Sequence, residues 1–296
     1  MNVLAFDFGG TSVKYGIWLE DKMTYDKSFP TPSSWEELKF ILMTVREEFF
    51  NKFELDGVAF SFPGAVDSAG GFIYGLSAIP YIHNFPIKAE LKQLFKLPVS
   101  IENDANCAAL AEVWQGAAVG IENTLFVVIG TGVGGAIISN GKLQHGKHLY
   151  GGEFGFMLLD GEHTLSELGT AVRMADRYCT RLGVSSDSYS GKEVFELADK
   201  QDPIAIEEVE IFYKAITRGL FNLQLCFDPE VIVIGGGLST NANIINTMQE
   251  KLDELMVELK VTEFKAQLRP CHFRNGANLI GAVKNFLDKY SDYKVN

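Results

Sequence analysis

Cysteine is scarce and scattered. The chain has four in 296 residues, Cys107, Cys179, Cys226 and Cys271, and no two form a C-x-x-C pair, so neither a disulfide framework nor a zinc ribbon is indicated. Long apolar runs are missing too: no window reaches ~18 uninterrupted apolar residues. The opening MNVLAFDFGGTSVKYG has no basic segment leading into an apolar stretch, which speaks against a secretory leader and a membrane span. A reducing cytoplasm is the expected location. Positive charge is in deficit, with 26 Lys and Arg against 38 Asp and Glu and a formal net charge of −12. Proteins that neutralise a phosphate backbone need a dense cationic surface, so nucleic acid is not an expected partner. Also absent are the G-x-x-x-x-G-K-[ST] phosphate loop and the Lys and HRD set of protein kinases.

What is present is a folded-protein composition, 47% hydrophobic and 22% charged, at a length that favours two compact lobes over one. Val3–Phe6, a glycine turn at Asp7–Thr11 and Val13–Leu19 read as strand, turn, strand. Residues 34–50, SWEELKFILMTVREEFF, open with a capping serine and acidic residues and continue with apolar residues at helical spacing. Short strands follow at 57–62 and 99–102, with a helix over 105–115. A second lobe begins near 117–122, where the opening pattern recurs: Thr124–Ile129, the turn GTGVGG, then Ala136–Ile138. Helices over 205–227, 243–259 and 276–290 flank a buried strand, Val231–Ile234.

Several of these junctions can carry chemistry. A D-F-G-G-T turn brings consecutive backbone N–H groups and a hydroxyl up to a phosphate without side-chain obstruction, with Asp7 near a metal; Gly-Gly between two strands can equally be a plain turn. A second such loop at Gly130–Gly135 suggests a triphosphate held from two sides. Asp104, in Glu102-Asn103-Asp104-Ala105-Asn106, stands where a strand ends and a helix starts. The position suits a helix N-cap, and it equally suits a carboxylate that accepts the proton of a sugar hydroxyl, a device worth ~10² to 10⁴ in rate. Glu153, flanked by glycines, can reach a ligand or lie in a surface loop. Gly235-Gly236-Gly237 after the VIVI strand permits close approach of an adenosine. His145, His148 and His163 match no standard zinc spacing.

Taken in order, DFGGTSVKYG, SFPGAVD, ENDANCAALAE, GTGVGGAII and VIVIGGGLS resemble the successive motifs of the ROK family (repressors, open reading frames and sugar kinases) over nearly the whole chain. The resemblance implies an α/β, two-domain actin-like ATPase (ribonuclease H-like) fold. It places one lobe at 1–116 plus a C-terminal helix at about 278–296, and a nucleotide-binding, dimerising lobe at 117–277. It implies ATP and Mg²⁺, with sugar and ATP between the lobes, a homodimer, and Asp104 as general base. Gly64, Asn84, Asn103, Asp104, Glu153 and Glu167 fall at sugar-contact positions. Asp7, Gly9, Gly10, Thr11, Lys14, Thr131, Gly132, Gly235 and Gly236 fall at ATP or phosphate positions, Asp7 also serving Mg²⁺.

The chain departs from the family at GEFGFMLLDGEHTLSELGT, where Phe156 replaces a histidine and a zinc-binding cysteine cluster is missing, so no structural zinc is expected. An apolar Phe156 points to a bulkier or differently substituted sugar. The expected activity is phosphorylation of a hexose or hexose derivative at O6. The family's sugar-responsive transcriptional regulators would need an extra winged-helix segment of ~60–80 residues before the first loop. That loop begins here at residue 7. A non-catalytic sugar-binding protein would have lost Asp104 or a glycine loop, and both loops and Asp104 are present.

Overall fold

The computed structural model describes residues 1–273 and 276–290. The chain divides into two compact units. The first begins with β1 (Val3–Phe8), β2 (Ser12–Leu19) and β3 (Lys22–Pro30), followed by α1 (Trp35–Phe50), β4 (Gly57–Phe62), the small hairpin β5 (Ala65–Asp67) and β6 (Phe72–Tyr74), α2 (Ile87–Phe95), β7 (Val99–Asn103) and α3 (Asp104–Gln115). The second holds β8 (Thr124–Ile129), β9 (Val133–Ser139), β10 (Lys142–Leu143), α4 (Leu165–Leu168), α5 (Ala171–Leu182), α6 (Gly191–Asp199), α7 (Pro203–Phe227), β11 (Val231–Gly235), α8 (Ala242–Glu258) and β12 (Leu268–Pro270). α9 (Ala277–Tyr290) returns to the first unit, as does the short segment Gly146–Tyr150. The helix expected to run on toward 296 falls, beyond residue 290, outside the described residues.

Each unit is built on a five-stranded sheet of one pattern. The first runs β3-β2-β1-β4-β7 and the second β10-β9-β8-β11-β12. In both, an antiparallel hairpin continues into two parallel strands. The repeat seen in the sequence as two strand-glycine-strand units is therefore a repeat of whole sheets. Parallel strands need both faces covered, which accounts for the apolar runs LAF, GVAF and VIVI. In the first unit, Phe6, Phe60 and Phe62 stack on one face with Leu38, Leu42 and Phe49 of α1 in the same cluster. The opposite face packs Val3, Ala5 and Ala59 with Leu279, Ala282, Val283 and Phe286 of α9.

α1 forms where the sequence signals place it: Ser34 Oγ accepts the Glu37 N–H, and Leu38, Leu42, Val45 and Phe49 are its buried stripe. α3 starts one residue before the expected Ala105, because Asn103 is the cap and accepts the Asn106 N–H at 3.1 Å. β3, the β5–β6 hairpin, α2, α4, α5, α6 and β12 were not anticipated. The stretch between β10 and α7 thus contains three helices, each with its own cap, at Thr164, Thr170 and Ser190.

α3 and α9 lie against each other at Gly281, where a Cβ would run into the Cys107 carbonyl. Helix propensity alone would have alanine stabilise this position by about 1 kcal/mol, whereas overpacking against backbone costs about 1–3 kcal/mol. Gly281→Ala is expected to lower the thermal midpoint; an unchanged or raised midpoint in a melting experiment would show that the two helices can separate without loss.

Candidate active site

In the first unit the parallel register sets Asp7 beside Ser61 and Ser61 beside Glu102. These residues stand at the carboxyl ends of β1, β4 and β7, where open α/β sheets present ligand-binding groups. Glu102 is buried and fully engaged: Oε1 accepts the Asn103 N–H at 2.9 Å and Asn106 Nδ2 at 3.0 Å, and Oε2 accepts the Ser68 hydroxyl at 2.7 Å. A buried carboxylate held by three donors is a rigid fixture, and it fixes the turn from β7 into α3. Asn103 Nδ2 then donates to the Gly64 carbonyl at 3.0 Å, tying the turn to the S-F-P-G loop.

Asp104 occupies the first turn of α3, with Oδ1 accepting the Ala105 N–H at 2.8 Å. Burial pushes its carboxyl up to about 6, the Ala105 N–H pulls against this, and the negative charge of Asp7 adds to the rise. Asp7 is itself raised by burial, opposed by hydrogen bonds from Asn278 and Ser61 and by the charge of Lys14, its cross-strand neighbour. Gly64 has φ +100° and an added Cβ would lie 3.0 Å from His83 Cε1. Asn84 takes the left-handed conformation, φ 61°, that asparagine tolerates better than most residues, with its N–H on the Ile73 carbonyl. Gly9, Gly10 and Thr11 form the exposed turn after β1. The Gly9 N–H bonds the Ser12 carbonyl, and Thr31 clamps the turn through its N–H to Thr11 O and its hydroxyl to Gly9 O at 2.6 Å.

In the second unit, Thr131 and Gly132 lie in the turn between β8 and β9, closed by Gly130 N–H to Gly132 O at 2.9 Å. The next amide, Val133 N–H, donates to Ser166 Oγ at 2.9 Å. Glu153 is exposed on a turn whose flanking glycines press against β9: a Cβ on Gly152 would strike Gly135, and one on Gly155 would strike Val133 and Ser166. Desolvation raises the Glu153 carboxyl. Gly235 ends β11 against the Phe126 ring, and Gly236 has φ +87° with no room for a Cβ beside Ile129.

Glu167, expected at a sugar contact, has its carboxylate in the capping box of α4. Oε2 accepts the Thr164 N–H at 2.7 Å and the Thr164 hydroxyl at 2.9 Å, and these bonds hold it below the usual range. Phe156 is 72% exposed. His163 pairs with Asp160 at 3.2 Å, and among the described residues no three His, Cys, Asp or Glu side chains gather as a metal centre. Sequence reasoning missed Thr31, Ser61, Ser68, Ser166 and Asn278. Each is a small polar residue bonded to a partner distant in sequence, and of the five only Ser61, in SFPGAVD, lies inside a motif singled out from the sequence.

Comparison with known proteins fits this arrangement. A sequence model described as the ROK family matches residues 3–289. A β-glucoside kinase of Listeria innocua is 34% identical over 297 residues, 98% of this chain and 98% of that protein. A glucokinase of Halalkalibacterium halodurans is 32% identical over 252 residues, 78% of this chain and 76% of its own. The crystal structure of a ROK family protein from Streptococcus pneumoniae TIGR4, in complex with sucrose, superposes with a TM-score of 0.89 at 34% identity, covering 99% of this chain and 100% of that one. The fold is the α/β actin-like ATPase fold. Matched from end to end by the family and by relatives that are kinases, this chain belongs to the ROK family, among its sugar kinases.

Proposed function

We propose that this sugar kinase transfers the γ-phosphoryl group of ATP to O6 of a glucoside or related hexose derivative, with Asp104 as general base. The observation that carries the reading is the setting of Asp104: a part-buried carboxyl at a helix start, pushed up to about 6, next to an Asn103 side chain tied to the Gly64 loop. A base tuned toward neutrality accepts the hydroxyl proton while remaining ionised at pH 7. The sugar oxygen bonds to the γ-phosphorus as the bond to the β,γ-bridging oxygen breaks, ADP leaves with that electron pair, and the proton rests on Asp104. Gly64, Asn84, Asn103 and Glu153 take the sugar hydroxyls. Glu167 is a weaker member of that set because Thr164 already engages its carboxylate.

Gly9, Gly10, Thr11 and Lys14 on the first unit, and Thr131, Gly132, Gly235 and Gly236 on the second, are the phosphate and nucleotide residues of this reading. Mg²⁺ fits Asp7: a hard cation takes one carboxylate together with phosphate oxygens and needs no larger cluster. When bound, it neutralises charge on the phosphates. The glucoside preference rests on Phe156, an exposed apolar ring that suits a bulky aglycone, and on the names of the β-glucoside kinase relatives. A cytoplasmic location suits an ATP-consuming enzyme. The resemblance also leads us to a homodimer; light scattering would read twice the monomer mass, and a monomer at assay concentration would end that part of the reading.

Asp104→Asn separates chemistry from folding. Turnover is expected to fall by ~10² or more. A carboxyl raised from 3.8 to about 6 costs folding free energy once ionised. That cost is absent below about 3.8, grows as pH rises to 6, and is of order 3 kcal/mol above it. The variant should therefore melt higher than the parent at pH 7.5, the gap closing toward pH 4, and the parent's kcat/KM should drop on the acid side with an apparent pKa near 6. Near-normal turnover in the variant would remove Asp104 as the base.

ADP release with Mg²⁺-ATP should be stimulated most by cellobiose in a panel with glucose, mannose, fructose, N-acetylglucosamine and N-acetylmannosamine. Preference for a free hexose would overturn the glucoside assignment, and silence with sugars still bound would favour a non-catalytic sugar-binding protein.

A further inference from the structure

Asp7 receives two hydrogen bonds on one and the same oxygen. Ser61 Oγ donates to Oδ1 at 2.8 Å and Asn278 Nδ2 donates to Oδ1 at 3.0 Å. The donors come from opposite ends of the chain: Ser61 sits on β4, the parallel neighbour of β1, and Asn278 on the first turn of α9. Two donors converging on one carboxylate oxygen from two rigid elements fix the plane of the group. Oδ2 takes no part in this pairing. Both donors are uncharged, so the carboxylate keeps its full negative charge, as a ligand for a divalent cation must.

The alternative role for Asn278 is to pin α9 to the sheet. α9 is already pinned by Leu279, Ala282, Val283 and Phe286 in the apolar cluster, by Asn285 Nδ2 on the Ile101 carbonyl at 3.3 Å, and by the Tyr290 hydroxyl on the Val99 carbonyl at 3.1 Å. The amide of Asn278 is thus redundant for anchoring the helix and unshared in its contact with Asp7 among the elements of α9.

We propose that Asn278 is a positioning residue for the metal–nucleotide complex: with Ser61 it holds Oδ1 of Asp7 and so reserves Oδ2 for Mg²⁺. The proposal rests on the reading of Asp7 as the metal carboxylate. Nothing in the motif pattern around the first glycine loop points to Asn278, which lies 271 positions away.

The test is Mn²⁺ binding to the full-length protein with a non-hydrolysable ATP analogue, followed by paramagnetic resonance of free Mn²⁺, for the parent, Asp7→Asn and Asn278→Ala. Expected is a loss of Mn²⁺ affinity of about tenfold in Asn278→Ala and a larger loss in Asp7→Asn, within the range for orienting groups behind a ligand. The Asn278→Ala midpoint of melting should stay close to the parent's. If Asn278→Ala destabilises the fold, the near-isosteric Asn278→Leu, which fills the same space without a donor, decides in its place. Weakened binding in Asp7→Asn with parental binding in the Asn278 variants overturns the positioning role. Parental binding in Asp7→Asn as well overturns the metal reading beneath it.

Discussion

The parallel pairing of β1, β4 and β7 at one register puts Asp7, Ser61 and Glu102 in a row across three strands, and the polar chemistry of the first unit hangs on that row. Shifting any of the three strands by one residue would turn these side chains to the other face. The register is held by what lies beneath it. Phe6, Phe60 and Phe62 alternate with the polar residues and stack on one another with rings within 6 Å and nearly parallel. Aromatic packing of this kind adds to area burial, so the apolar face of the sheet enforces the alignment of its polar ends.

The carboxylates of that row, and Asp104 just beyond it, differ in their surroundings. Glu102 is buried and saturated with donors, and it serves as structure. Asp104 accepts one backbone N–H and carries the cost of burial as a raised proton affinity. Asp7 has neutral donors on a single oxygen. Three acidic side chains, one at the end of β1 and two at the junction of β7 with α3, thus differ in how many donors each has and where they fall.

The glycine loops, the E-N-D-A-N segment and the VIVI strand were legible because each depends on neighbours in sequence: a tight turn, a cap, a run of β-branched residues. The polar supports were not. Ser166 reaches Val133 over 33 positions and Ser68 reaches Glu102 over 34, separations at which a lone serine carries no local signature. α5 was missed although its buried Met174, Ala175, Tyr178 and Cys179 follow helical spacing, with Arg173, Arg177 and Arg181 along another face. α4, at four residues, is shorter than any periodicity can register. At Glu167, a residue type suited to a sugar contact, the structure adds what the motif reading did not contain: its carboxylate is the partner of Thr164 in a helix cap.

α9 closes the first unit from the far end of the chain, and this orders events during synthesis. A ribosome releases β1 to α3 early, yet the face of their sheet that packs Val3, Ala5 and Ala59 stays open until the last described helix emerges. The second unit, encoded in between, has its whole sheet available before that moment. Domains generally fold as units in the order they appear. Here the unit that starts first finishes last, and in a nascent chain Asp7 lacks the second of its two donors until translation has reached Asn278.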